Sequence, residues 1–177
     1  MGGAFTNEII LQALARSLAL AASVALVSGA LGIVMAWLVA RADFPGRRTA
    51  ASLLSVPYAL PCYLLAMAWV VLGNPTVGLL KDFLPAGGSY GFGGMVLVLS
   101  SVAFAFPYFE LRAGFDRLDP SLEEAARMSG AGPWRVFRDV SLRLLWPAWL
   151  NGMSLSFLFA LAAFGSPAIL GLPVRQY

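Results

Sequence analysis

An all-α, polytopic membrane bundle of about four transmembrane helices, with a charged cytoplasmic loop, is the fold this sequence predicts. Three observations predict it. Of the 177 residues, 59% are hydrophobic and 12% charged, with a mean hydropathy of +0.78. A soluble domain carries roughly 25% charged residues, so this chain has too little polar surface to cover a globule. The apolar residues also fall into uncharged runs long enough to cross a ~30 Å hydrocarbon core as helices. Finally, nine of the 12 Lys and Arg residues lie in two loops between those runs, and Arg16, Lys81 and Arg175 lie on the other side. Short basic loops stay cytoplasmic, which puts both basic loops inside and both chain ends outside.

Residues 1–16 form a mildly amphipathic lead-in, and the first span is expected at 17–40, between Arg16 and Arg41. No basic residue precedes Arg16, and the apolar run is long for a signal peptide, so a retained anchor is expected. Two small-residue stripes run along it: Ala21, Ala25, Gly29 and Ser28, Gly32, Ala36, Ala40. Such spacing allows close approach of another helix. Chance spacing in an Ala-rich helix is the equal alternative.

The loop Arg41–Arg48 leads to a second span at 49–72, kinked by Pro57 and Pro61, which remove backbone donors. Tyr58, Cys62 and Tyr63 sit beside the kink, either lining a translocation path or packing helices. The Gly, Pro and Asn content of residues 73–94 marks a turn-rich loop, expected on the periplasmic side. A third span is expected at 92–110. A fourth, at 145–164, opens with Trp146 and Trp149, placed like interfacial anchors. Asn151 is its strongly polar side chain near the cytoplasmic entrance and joins the candidate path residues.

The long charged stretch, about 112–144, returns the chain to the membrane. Asp119 suits a helix N-cap and Pro120 the first turn, with Glu123 and Glu124 placed to suit the helix dipole. Gly130 offers a left-handed stop. Gly132-Pro133 then opens a second helical piece with Trp134, Phe137 and Val140 near one face. The two adjacent carboxylates read either as a solvated loop face or as part of a docking surface.

Other chemistry is poorly served. The single Cys62 allows no intrachain disulfide, and with no histidine a zinc or haem site within the chain is not expected. No GxxxxGK[ST] loop or catalytic constellation is present, so no enzyme activity, cofactor or bound metal is expected. The basic residues collect where they orient a membrane protein rather than in a nucleic-acid-binding patch. The span interiors lack Asp, Glu, Lys and Arg, which argues against a proton-coupled carrier or a carboxylate ring holding a metal ion.

Glu124-Ala125-Ala126, followed by Gly130 and then Val140-Ser141-Leu142, resembles the EAA loop of ABC importer permeases. The family pattern ends in proline, whereas here Arg143 follows Leu142 and a proline comes only at Pro147. Residues 40–48 (ARADFPGRR) and 162–173 (AAFGSPAILGLP) extend the resemblance to the ferric-iron-type branch and to nearly the whole chain. The resemblance implies that residues 1–177 are part of a permease domain in a bacterial inner membrane, with ferric iron as the leading cargo. Thiamine, phosphonate, polyamine and sulfate permeases share the architecture. It further implies a coupling helix that docks on an ATPase subunit through Glu123, Glu124, Ala125, Ala126, Gly130 and Trp134. The implied partners are that ATPase, a periplasmic substrate-binding protein, a second permease half and the lipid bilayer, with no nucleic acid. Family members use five or six spans per half, so a fragment is expected. A membrane scaffold whose loop binds another partner is the alternative from outside transport.

Overall fold

The computed structural model describes residues 2–59, 61–73, 78–79 and 91–163, all helical or connecting in structure. Helix α1 runs unbroken over Gly2–Arg41. The first proline of the chain is Pro45, so nothing interrupts the Ala- and Leu-rich run, and the lead-in and first span are one helix. Its stretch Ile10–Arg41 is long and apolar enough to cross a membrane. Large apolar side chains such as Leu14, Leu26 and Val34 are half-exposed or more, as expected where lipid is the solvent. Both small-residue stripes are buried, so the close-approach reading of their spacing holds.

The second apolar run departs from the expected kinked span. It forms α2 (Arg47–Leu53), α3 (Val56–Ala59) and α4 (Cys62–Leu72). The segments Arg47–Ala59 and Leu64–Leu72 meet at 104°, a broken span or a re-entrant turn rather than a bent rod. Pro57 and Pro61 stand four residues apart, so two donors are missing from one helix face, and a single kink cannot accommodate both. Most of the expected periplasmic loop lies outside the described residues.

Helices α5 (Gly91–Ala103) and α6 (Ala105–Arg117) follow, separated only at Phe104. Together, Gly91–Arg117 is a second candidate span, and it continues well past the expected end at 110. Pro107 has no N–H to give the Ala103 carbonyl, yet that carbonyl accepts from Ser156 Oγ at 3.0 Å. The break therefore stays shallow and the helix carries on to Arg117.

After the charged stretch, α8 (Pro133–Val136), a π-helical turn (Phe137–Ser141) and α9 (Leu142–Ala162) form one continuous element. Pro133–Ala162 is the third helix long and apolar enough to cross, and the bent pair would make a fourth. The expected amphipathic helix and fourth span are thus a single rod. Trp146 is exposed, but Trp149 turns inward and donates from its indole N–H to the Gly29 carbonyl at 3.0 Å, so it joins helices rather than anchoring at an interface.

The core is the packing of α1, α6 and α9, with α5 against α1. Its tightest point is Pro107. A Cβ at Gly32 of α1 would stand 2.7 Å from Pro107 Cγ, and a Cβ at Gly152 of α9 would collide with the Pro107 backbone. Three backbones converge there because two of the facing residues have no side chain.

Candidate functional site

The first two basic clusters do more than set orientation. The last carbonyls of α1 have no helical donor. Arg47 donates to the Val39 carbonyl and, at 3.0 Å, to that of Ala40. Arg112 of α6 also donates to the Val39 carbonyl at 3.0 Å. The end of α1 is therefore fastened by guanidinium groups from both basic loops, leaving Arg41 to point elsewhere.

Helix α7 (Pro120–Met128) begins as its sequence dictates. The Asp119 carboxylate accepts from the Ser121 backbone N–H at 2.9 Å, and that bond holds Asp119 below the ordinary carboxylate value. Gly130 sits at φ 81°, the left-handed stop, with open space where a side chain would project.

The orientation of α7 is the informative feature. Leu122 is 47% exposed and Met128 89%, and Ala125 lies between them on the same face, also exposed. Glu123, on the opposite side, is only 6% exposed. The usual amphipathic order is inverted, with the apolar stripe turned to solvent and a carboxylate turned to the protein. Arg41 Nε stands 2.8 Å from Glu123 Oε2 and 3.1 Å from Oε1. The Ser141 hydroxyl, buried in the π-helical turn, donates to Oε1 at 2.8 Å. Arg41 also lies over the Phe115 ring at 5.3 Å, and one of its terminal nitrogens is buried without an acceptor. Three separate parts of the chain thus meet at one carboxylate: the end of α1, α7 and the start of the α8–α9 rod.

Of the coupling residues expected from the sequence, Glu124 and Ala125 face outward and Ala126 is half-buried. Trp134 is 66% exposed, and its ring contacts Phe137 at 5.6 Å, which in turn meets Trp37 of α1 at 5.4 Å. Glu123 faces inward to Arg41 and Ser141, away from the exposed face that carries Ala125. Sequence reasoning missed this pair. The signal that could have found it is Leu122, Ala125 and Met128 at i, i+3 and i+6, an apolar face that leaves Glu123 on the reverse side. A groove of about 350 Å³ runs beside α7, lined by Ala126, Ser129, Ala131, Arg135, Val136, Asp139 and Val140.

Of the expected path residues, the side chains of Tyr58 and Asn151 are described. Tyr58 is 55% exposed and packs edge-on against Phe106 and Phe109, at 5.6 and 5.8 Å. Asn151 is exposed on α9, one residue off the buried Gly152–Ser156 stripe. Cys62 and Tyr63 begin α4, but their side chains lie outside the described residues. Among the described residues, no group of three His, Cys, Asp or Glu side chains could hold a metal ion.

Comparison with known proteins gives this arrangement a setting. The family described as "binding-protein-dependent transport system inner membrane component" matches residues 28–175. A probable sulfate transport system permease protein of Chlorella vulgaris is 33% identical over 163 residues, covering 91% of this chain and 61% of that protein. A molybdenum transport system permease protein of Haemophilus influenzae is 35% identical over 161 residues, covering 88% of this chain and 69% of that protein. The corresponding molybdenum permease of Escherichia coli K12 is 34% identical over 160 residues. The chain spans about three-fifths of the length of the sulfate relative. The family match covers most of the sequence, including all of α6 to α9, and the chain belongs to the family of binding-protein-dependent transport inner-membrane components.

Proposed function

We propose that this chain is the membrane-spanning permease part of an ABC importer, and that α7 is the helix through which a separate ATPase drives it. The observation that carries this is the outward apolar face Leu122, Ala125 and Met128 on a helix whose other side is bolted to two membrane helices. An exposed apolar face on a fixed mount is what a protein partner can bind tightly and push against. The family is one of transport components rather than enzymes, and ATP hydrolysis falls to the partner. A periplasmic binding protein and a second permease half complete the assembly in this reading.

The cargo reading moves from ferric iron to an oxyanion such as sulfate, because the named relatives are sulfate and molybdenum permeases. The lack of carboxylates inside the apolar runs is compatible with an anionic cargo, since no fixed negative charge there repels an anion. Tyr58, Cys62, Tyr63 and Asn151 remain the proposed path residues, with Tyr58 and Asn151 open to helices from outside this chain.

The test is made with the full transporter. Ala125→Asp places a charge in the docking contact, and a desolvated unpaired charge there costs several kcal/mol. The variant is expected in the membrane at the parent level, without the ATPase on co-purification and without sulfate uptake. Retention of the ATPase with normal uptake would remove the docking role. Uptake of ferric iron but not sulfate, dependent on this chain, would overturn the cargo.

A further inference from the structure

We infer that the Arg41–Glu123–Ser141 cluster is a transmission joint. It fixes the angle of α7 against the membrane helices, so that movement of a docked partner is passed to α1 and α9 rather than lost in the loop. The inference rests on the docking reading and adds residues that do not touch the partner.

Stability alone does not account for the cluster. Taking a carboxylate and a guanidinium out of water is costly, and an apolar pair of similar volume often serves a fold as well or better. The pair here is not even fully satisfied, since one Arg41 nitrogen is buried without an acceptor. What the pair supplies is direction. Glu123 is held by charge from Arg41 and by a hydrogen bond from Ser141, partners 82 and 18 residues away in the chain. An ion pair and a hydrogen bond constrain angle, whereas apolar contact constrains only distance. The joint also lies where coupling needs it. Arg41 ends α1, whose buried face carries Gly29 and Gly32 against α9 and α6. Ser141 belongs to the π-helical turn from which α9 departs. Glu124 and Ala125 continue outward from the same turn of α7 to the docking face. The main packing of α7 is against α8 and the π-helical turn, and the salt bridge ties it to α1.

The experiment separates a joint from a mere brace. In the purified transporter, Glu123→Gln leaves the outward face intact, so the ATPase should still co-purify. Sulfate uptake and the stimulation of ATP hydrolysis by loaded binding protein should fall roughly tenfold, within the usual range for coupling between sites. The double variant Arg41→Met/Glu123→Leu removes both charges together. It should restore the melting temperature to the parent value or above while uptake stays low. Restoration of uptake along with stability would show that the cluster is only a brace, and would overturn the inference. Unchanged uptake in Glu123→Gln would do the same, with the docking reading untouched. Failure of the ATPase to co-purify with the parent chain itself would instead sink the docking reading, and the joint with it.

Discussion

Ser156 shows how one hydroxyl can hold a helix together at a proline. The Ala103 carbonyl loses its helical donor because Pro107 has none, and Ser156 Oγ reaches it at 3.0 Å from another helix. Ser156→Ala is expected to cost about 1–3 kcal/mol, the range for a buried acceptor left unpaired. Thermal unfolding in detergent measures it. In a Pro107→Ala background, where residue 107 again supplies an N–H, the same substitution should cost measurably less; equal costs would show that the hydroxyl serves some other group. Gly152 is a second single-residue constraint. A Cβ there meets the Pro107 backbone rather than a movable side chain. Gly152→Ala should therefore destabilise by about 1–3 kcal/mol, as overpacking does. At Gly130 a Cβ meets nothing, and the cost of Gly130→Val comes from its φ of 81° alone, about 1–2 kcal/mol. The Gly152 contact is not visible in sequence, because it depends on which helix arrives opposite.

Among the elements, α7 was the most legible and also the most misread. Asp119, Pro120 and Gly130 mark its start and stop, and the structure places its cap and its left-handed residue at those positions. The partner of Glu123 was not legible, because Arg41 lies 82 residues away and no local pattern names it. The cap also makes the helix sensitive to acid. The folded Asp119 carboxyl titrates below its unfolded value, through the Ser121 N–H bond. Its contribution is therefore complete above the ordinary carboxylate range and lost as pH falls through the lowered folded value. Amide exchange of Ser121 to Glu124 should stay slow from neutral pH down to about pH 4, then quicken, once the intrinsic pH dependence of exchange is divided out. Asp119→Ala should show the quicker exchange at neutral pH. Equal protection in parent and variant would show that packing, not the cap, holds the first turn. The second apolar run was misread for a different reason. Prolines announce a kink, but a bend of 104° depends on what the two arms pack against.

At the scale of the whole molecule, composition and charge were enough for the fold class, since a bilayer leaves a chain this apolar few choices beyond a helical bundle. The joining of elements was not legible. Pro107 lies inside a helix that nevertheless continues to Arg117, because Ser156 relieves it. Orientation remains a direct prediction of the basic loops. In a Cys62→Ser background, Met128→Cys should be labelled by an impermeant thiol reagent only from the cytoplasmic side. Ser89→Cys, outside the described residues, should be labelled only from the periplasm. The opposite pattern would invert the topology and leave α7 where no ATPase could meet it. The unbroken rod from Pro133 to Ala162 has a mechanical consequence. Gly152 is its point of closest contact, and at 1.5 Å per residue Trp134 lies roughly 27 Å to one side and Ala162 roughly 15 Å to the other. Pro107 is then a fulcrum under an unequal lever. A rigid tilt about that contact would move the Ala162 end in the opposite direction by about half the displacement at Trp134.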